Sequence, residues 1–233
     1  MPELPPTSLL VETRKSLHRV AEHVLSAALK TATGHIALEP GPGGVRTPPL
    51  PDGSVLAVEG TDITVTGPGV ARRAQLSTVA HAAHLAGTVP GFPWTKHPPA
   101  TPLEPDARLA VDAASAQVLA DWFALGAEAM GALAREIPED GPGPAHVYPE
   151  HFDLGMVAAE VNYGASPGDE AIELPYLYVG PHEGPPAEDD FWNAPFGAYR
   201  TIHDVTTPQD ALAFFRAGRD RVRDLRDKTR SSA

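Results

Sequence analysis

The chain of 233 residues contains no cysteine. This absence excludes a disulfide framework and thiolate metal sites, and it favours a reducing cytoplasm as the compartment. No apolar run approaches the roughly 20 residues that a membrane-spanning helix needs. Residues 1–6 have neither the basic nor the apolar segment of a signal peptide. We therefore expect a soluble, cytoplasmic protein with no membrane partner.

Lysine and arginine are missing from residues 136–199, a stretch that carries thirteen acidic residues. Partners that present phosphate need clustered cations, so we expect no nucleic-acid binding. The acids must take their counter-charge from solvent, a metal ion, a basic ligand or the arginine-rich C-terminal segment. The same stretch holds three histidines and nine of the fifteen aromatic residues. A functional site is therefore expected here.

Several catalytic motifs are also missing. The sequence contains no Gly-x-Ser-x-Gly elbow, which argues against a serine hydrolase of that type. It has no Walker or dinucleotide-binding pattern either, so a nucleotide-dependent reaction lacks its signature.

Proline, by contrast, is abundant, with 26 residues, about twice its usual share. Six prolines fall within residues 89–106, which excludes a helix or a central strand there. We interpret residues 89–111 as a connector. It would join an N-terminal α+β half, residues 1–88, to a C-terminal half, residues 112–233, that carries the acidic, aromatic-rich candidate site.

Apolar periodicity predicts four helices, over residues 8–31, 75–86 and 112–137 and from Thr207 to the C-terminal region. Strand-like pieces lie at residues 36–38, 55–59, 63–66 and 174–179. Each half thus has the order helix, strands, helix. This pattern predicts an α+β fold in which an antiparallel sheet is flanked by about four helices.

His151 and Asp153 are the first candidate site residues. On a strand, residues two apart point to one face, and a His-x-Asp pair is part of a 2-His-1-carboxylate metal site. The second histidine would come from His182 or His203. A divalent metal ion is thus one candidate cofactor. The alternative is that this histidine and aspartate only bind neighbouring backbone, because too few strands surround them for the jelly roll of known oxygenases of this type.

Residues 162–169 read as a loop, because Gly164 and Gly168 permit positive φ angles. Either it is a structural turn, or it is a ligand loop in which Ser166 supplies a hydroxyl group. Further on, Tyr176 and Tyr178 would share one strand face. Tyrosine suits pocket walls and half-buried sheet faces equally well.

Trp192, Asn193 and Phe196 lie in a segment with proline and glycine that could close over a pocket. The alternative is a satellite hydrophobic cluster that fixes a loop with little secondary structure.

Six strings of sequence resemble, in order, a family of mostly actinobacterial proteins of unknown function. They are ATGHIAL (32–38), AVEGTDI (57–63), YPEHFDL (148–154), NYGASPGD (162–169), PYLYVGP (175–181) and FWNAPFGA (191–198). The resemblance covers most of the chain. Because no activity is established for the family, it implies no catalytic residue.

Three functions are compatible with these patterns. The preferred one is a protein that binds a small neutral or cationic ligand, in a pocket built from His151, Asp153, Ser166, Tyr176, Tyr178, Trp192 and Asn193. The second is a metal-dependent enzyme, such as an oxygenase, with ligands drawn from His151, Asp153, His182 and His203. The third is an interaction module whose acidic face docks a basic protein. The sequence names neither the ligand nor the oligomeric state.

Overall fold

The structure, a computed structural model, describes residues 4–91, 98–185 and 190–231. Within these ranges it contains two five-stranded antiparallel sheets with helices packed on them, which confirms the α+β class. The sequence predicted one sheet. Part of the predicted connector, residues 92–97, and the acids Glu188 and Asp189 lie outside the described residues. None of the described helices is both long enough and apolar enough to span a bilayer.

The predicted N-terminal helix is present but interrupted. Helix α1 covers Thr7–Val20, a π-helical turn covers Ala21–Leu25, and α2 covers Ser26–Thr33. The turn buries Glu22, whose carboxylate accepts hydrogen bonds from the backbone N–H of Ala100 (2.8 Å) and Thr101 (2.9 Å). The π turn thus fixes the end of the proline-rich stretch to the first helix.

The first sheet is a meander of five strands in sequence order. These are β1 Glu39–Gly41, β2 Gly44–Arg46, β3 Val55–Glu59, β4 Asp62–Gly67 and β5 Val70–Gln75. The predictions of β3 and β4 are confirmed, and the short helix α3, Val79–Ala86, packs on this sheet. Strand β5 was not predicted, because its side chains are largely exposed and show no apolar alternation.

The second sheet is also a meander. Its strands are β6 His146–Tyr148, β7 Asp153–Ala158, β8 Val161–Ser166, β9 Tyr176–Pro181 and β10 Ala198–Thr201. Leu38, the only residue of the predicted strand at 36–38 that pairs, exchanges two 2.9 Å backbone hydrogen bonds with Val147 of β6. This bridge ties the two sheets together. Buried side chains from both predicted halves form one core cluster, and the domain boundaries stay a prediction.

Helix α4, Ala113–Glu136, is the longest predicted helix and begins where expected, since Asp112 accepts a 2.8 Å hydrogen bond from the backbone N–H of Ser115. The last helix, α5, covers Pro208–Ser231, and Thr207 accepts a hydrogen bond from the Asp210 N–H. Both helices pack on one face of the second sheet.

The arginines of α5 supply counter-charge to part of the acidic stretch. Arg216 pairs with Glu136, and Arg219 contacts Glu139 at 2.7 Å and Asp140 at 2.6 Å. The expectation that the basic C-terminal segment neutralises acids of the stretch is confirmed for these residues.

Strand alternation divides the second sheet into two faces. Leu154, Ala165, Leu177 and Val179 are fully buried, and Leu154 and Ala165 lie beside Gly126 of α4. A Cβ at Gly126 would come within 2.5 Å of the Ala165 Cβ, so glycine is what allows α4 to approach the sheet. The residues between these apolar ones face the other way, and they build the site described below.

We expect Gly126→Ala to destabilise the protein by about 1–3 kcal/mol, because the added methyl group overpacks the contact between α4 and β8. Gly131→Ala in the same helix is the matched control. Its Cβ would meet only the tip of Arg135, at 3.7 Å. Because alanine favours the helix over glycine, the control should gain about 0.5–1 kcal/mol. Urea denaturation measures both, and equal effects of the two changes would contradict the close approach.

Candidate functional site

The open face of the second sheet carries a cleft of about 650 Å³. We call it the acidic cleft. It is lined by His151, Asp153, Asn162, Ser166, Asp169, Tyr176, Tyr178, Gly180, Pro181, His182, Gly184, Pro195 and Phe196. No lysine or arginine occurs among these lining residues, and six of them were predicted as site residues. The sheet thus brings together side chains that are far apart in sequence.

The Tyr178 ring can lie across β8 and β7 because the residues beside it on those strands are glycines. Tyr178 pairs with Gly164 of β8, which in turn pairs with Gly155 of β7. A Cβ at Gly164 would fall 2.0 Å from the Cζ atom of Tyr178 and would clash with the ring. The two glycines therefore leave a groove in the sheet surface, along which the phenol ring reaches the first residue of β7.

The Tyr178 hydroxyl donates a 2.5 Å hydrogen bond to Oδ2 of Asp153. Asp153 is only 9% exposed, and its second oxygen, Oδ1, is buried and has no hydrogen-bond partner among the described residues. Burial is the main cause that raises the pKa of this carboxyl group; the Tyr178 hydrogen bond and nearby His151 oppose it. Burial and the Asp153 charge likewise raise the pKa of Tyr178. Asp153 is thus an incompletely paired carboxyl group in a lined cleft.

Tyr176 forms a second tyrosine–aspartate pair. Its hydroxyl donates to Oδ2 of Asp169 at 2.6 Å, and burial followed by this bond raises the tyrosine pKa. Oδ1 of Asp169 accepts 2.7 Å hydrogen bonds from the backbone N–H groups of Ala171 and Ile172. Unlike Asp153, Asp169 is therefore well supplied with donors, and it is held firmly at the edge of the cleft.

Phe196 completes an aromatic wall. Its ring centroid lies 6.4 Å from that of Tyr176 and 6.3 Å from that of Tyr178, and the side chain is 42% exposed. An exposed aromatic ring beside two half-polar ones offers a face to a bound molecule.

The histidines do not take the predicted arrangement. His151 is exposed in the turn before β7, so the prediction that it shares a strand face with Asp153 is wrong; the next residue, Phe152, has φ 52° and ends the turn. His182 is exposed, with Nε2 3.2 Å from Oδ1 of Asn162. His203 lies exposed in the turn after β10, away from the cleft lining. In the described parts of the chain, no three His, Cys, Asp or Glu side chains come together as metal ligands.

Trp192 and Asn193 also lie outside the cleft lining. Trp192 is buried with its ring 4.9 Å from that of Phe191, as in the packing alternative. Asn193 accepts a 2.9 Å hydrogen bond from the Tyr199 N–H, which fixes the loop before β10. Both residues hold the segment that presents Phe196.

Seven lining residues were not among the predicted site residues. Three of them, Asn162, Asp169 and Phe196, carry a polar or aromatic side chain, and Phe196 was predicted only as part of a segment that could close over a pocket. The reason for Asn162 is that residues 162–166 were read as a loop, whereas they belong to β8. Only Gly168 has the positive φ expected there, 99°. The signal that sequence reasoning missed is the alternation of a strand, which places Asn162, Gly164 and Ser166 on the cleft face. A glycine within a strand often marks a place where another group lies close to the backbone.

Comparison with known proteins adds no further assignment. No family model matches the chain, and no match was found among curated proteins or solved structures. The resemblance to the actinobacterial family stays a prediction, and the chemistry must be inferred from the site.

We expect Asp153→Asn to be more stable than the wild type at neutral pH, by on the order of 1 kcal/mol per pKa unit of the shift. Burial raises the pKa of Asp153 in the folded protein, so the ionised carboxylate lowers the free energy of unfolding at neutral pH. This destabilisation disappears as the pH falls through the raised pKa towards the ordinary value near 4. The advantage of the variant should therefore shrink on acidification. Asparagine keeps an acceptor for the Tyr178 hydroxyl.

The control for this measurement is Asp52→Asn. Asp52 is exposed and accepts hydrogen bonds from the Ser54 N–H and hydroxyl, which lower its pKa. It stabilises the fold above its ordinary pKa near 4 and loses this effect only at lower pH, so the penalty of the variant should stay nearly constant from pH 4 to pH 8. Urea unfolding from pH 4 to pH 8 distinguishes the two. A constant difference for Asp153→Asn across this range would contradict the raised pKa.

Proposed function

We propose that the acidic cleft binds a small organic cation bearing an ammonium or guanidinium group. The observation that carries the proposal is the lining itself. Two carboxyl groups, Asp153 and Asp169, lie beside the rings of Tyr176, Tyr178 and Phe196, and no lysine or arginine is among the lining residues. The volume of about 650 Å³ suits a small molecule.

Asp153 favours a cation over a neutral or anionic ligand. Its Oδ1 lacks a hydrogen-bond partner among the described residues, and burial makes its ionised form costly. A positive group nearby offsets that cost by stabilising the carboxylate. An anion would meet two carboxyl groups without any compensating lysine or arginine among the described lining residues.

The aromatic wall adds to this preference. A cation over the face of an aromatic ring gains about 0.5–2 kcal/mol, most where water is excluded. Phe196 is the lining ring with no hydroxyl group to engage, so its face is free for this role. Asn162 and His182 form a polar rim that can accept or donate further hydrogen bonds.

The interaction-module hypothesis is weakened by the arginines of α5. Glu136, Glu139 and Asp140 are already paired within the protein, so this part of the acidic face offers a basic partner little net charge. The metal-enzyme hypothesis stays a prediction for which the described residues supply no set of three ligands.

A series of butyl compounds tests the proposal. Isothermal titration calorimetry at pH 8 should detect butylamine, butylguanidine and butyltrimethylammonium but neither butanol nor butyrate. Asp153→Asn should weaken cation binding at least tenfold, because it removes the charge and keeps the shape. Phe196→Ala should weaken it about two- to fivefold, the loss expected for one exposed cation–π contact.

The matched control is Glu128→Gln, which removes the same charge from an exposed position on α4 outside the cleft lining. It should leave the affinities unchanged. Equal binding of butanol and butylamine, or no binding of any cation in the series, would overturn the assignment.

A further inference from the structure

A second cleft adjoins the acidic cleft. Its volume is about 420 Å³, and its lining includes Arg14, Lys15 and Arg19 of α1. His151 and Asp169 line both clefts, so the two are contiguous. We call the second one the mixed cleft, because it carries Glu150 and Glu170 as well as the three cations.

Arg14 is the unusual cation of this group. It is only 6% exposed, yet it forms no ion pair with any described residue. Its one hydrogen bond runs from Nη1 to the backbone oxygen of Glu173, at 3.2 Å. Charged side chains are almost never buried unless they are paired. Arg14 therefore has donors to spare.

The spare donors of Arg14 are not fully buried. Nε and Nη2 of Arg14 are absent from the fully buried polar atoms without a partner, so each keeps some exposed surface, and the residue lines the mixed cleft. These two nitrogens form the fork that binds a carboxylate through two parallel hydrogen bonds. Burial lowers the Arg14 pKa, and the charges of Asp169, Glu173 and Glu170 oppose this without direct contact.

Arg19, in the same cleft, differs from Arg14 because it has an acidic partner. It lies 3.2 Å from Glu104, which takes up its charge. Lys15 is exposed and solvated. Arg14 is thus the cation best placed to receive an anionic group, and it adjoins the acidic cleft, because Nη1 would touch a Cβ on Gly168, next to Asp169.

A purely anionic ligand is disfavoured here, since Glu150, Asp169 and Glu170 balance the three cations of the lining. A dipolar ligand avoids this difficulty, because its cationic end occupies the acidic cleft and offsets the charge of Asp169, which lines both clefts. We propose that the ligand is a zwitterion of the amino-acid type, with its cation in the acidic cleft and its carboxylate on the Arg14 fork. This inference rests on the proposed cation site and adds the second group that the ligand must carry.

The test compares ω-amino acids of three to eight carbons with n-alkylamines of the same chain length, by isothermal titration calorimetry at pH 8. We expect at least one ω-amino acid to bind ten or more times tighter than its matched amine, with an optimum length set by the span between the clefts. The corresponding ω-amino amides, which lack the negative charge, should bind like the amines. This comparison uses the wild-type protein alone.

Variants assign the effect to Arg14. Arg14→Gln, which keeps a donor for the Glu173 oxygen, should abolish the tenfold advantage and leave the amine affinity within twofold. Arg19→Gln is the matched control and should keep the advantage, because that arginine is already paired. An equal loss for amine and amino acid in Arg14→Gln would show a structural role only and overturn the inference.

The outcomes separate the two proposals. If amines bind and no ω-amino acid binds tighter, the zwitterion inference is wrong and the cation site stands. If neither class binds, both proposals fail.

Discussion

The close packing of α4 on the second sheet is the constraint on which the site depends. Gly126 lets the helix touch Ala165 of β8, and this contact decides which face of the strand is buried. Since strand side chains alternate, fixing Ala165 inward turns Gly164 and Ser166 outward. In the part of the chain that the structure describes, α4 and α5 pack on the inward face, and the polar and aromatic residues of the outward face line a cleft. Packing on one side of the sheet thus determines the chemistry available on the other.

Glycine then serves a second purpose on the cleft face. Gly155 and Gly164 leave room for the Tyr178 ring to lie across two strands, and only from there can its hydroxyl reach Asp153, 25 residues away in sequence. Tyr176, two residues earlier on the same face, donates instead to Asp169 in the loop between β8 and β9. Each tyrosine holds one carboxyl group and offers its ring to the cleft. The two tyrosine–aspartate pairs therefore supply both the carboxyl groups and two of the aromatic rings of the site.

The sequence predicted the elements better than their connections. Long apolar periods and capping residues such as Asp112 and Thr207 located the helices, because those signals are local. Leu38 could not be assigned to a bridge with Val147, since pairing over more than a hundred residues leaves no local pattern. Tyr176 and Tyr178 were placed correctly on one face by alternation alone. The sequence predicted a loop at residues 162–166 because a glycine-containing turn and a glycine-containing strand have similar composition. The two are distinguished only by the ring of Tyr178, which packs against Gly164 in the folded sheet.

The acidic stretch also resolves into two kinds of acid with different physical situations. Arginines of α5 bind Glu136, Glu139 and Asp140, so these acids stabilise the contact between α5 and the end of α4. Asp153 has no such partner, although it is far more buried and an unpaired buried charge costs more than an exposed one. The arginines of this fold thus pair with exposed acids and not with the buried Asp153, which remains a destabilising group in the folded protein. Strained or poorly paired groups of this kind concentrate at binding sites, where a ligand supplies what the fold leaves out. The excess of negative charge noted in the sequence is therefore less informative than its distribution, because the one acid of the stretch that is buried among the described residues, Asp153, lies in the cleft.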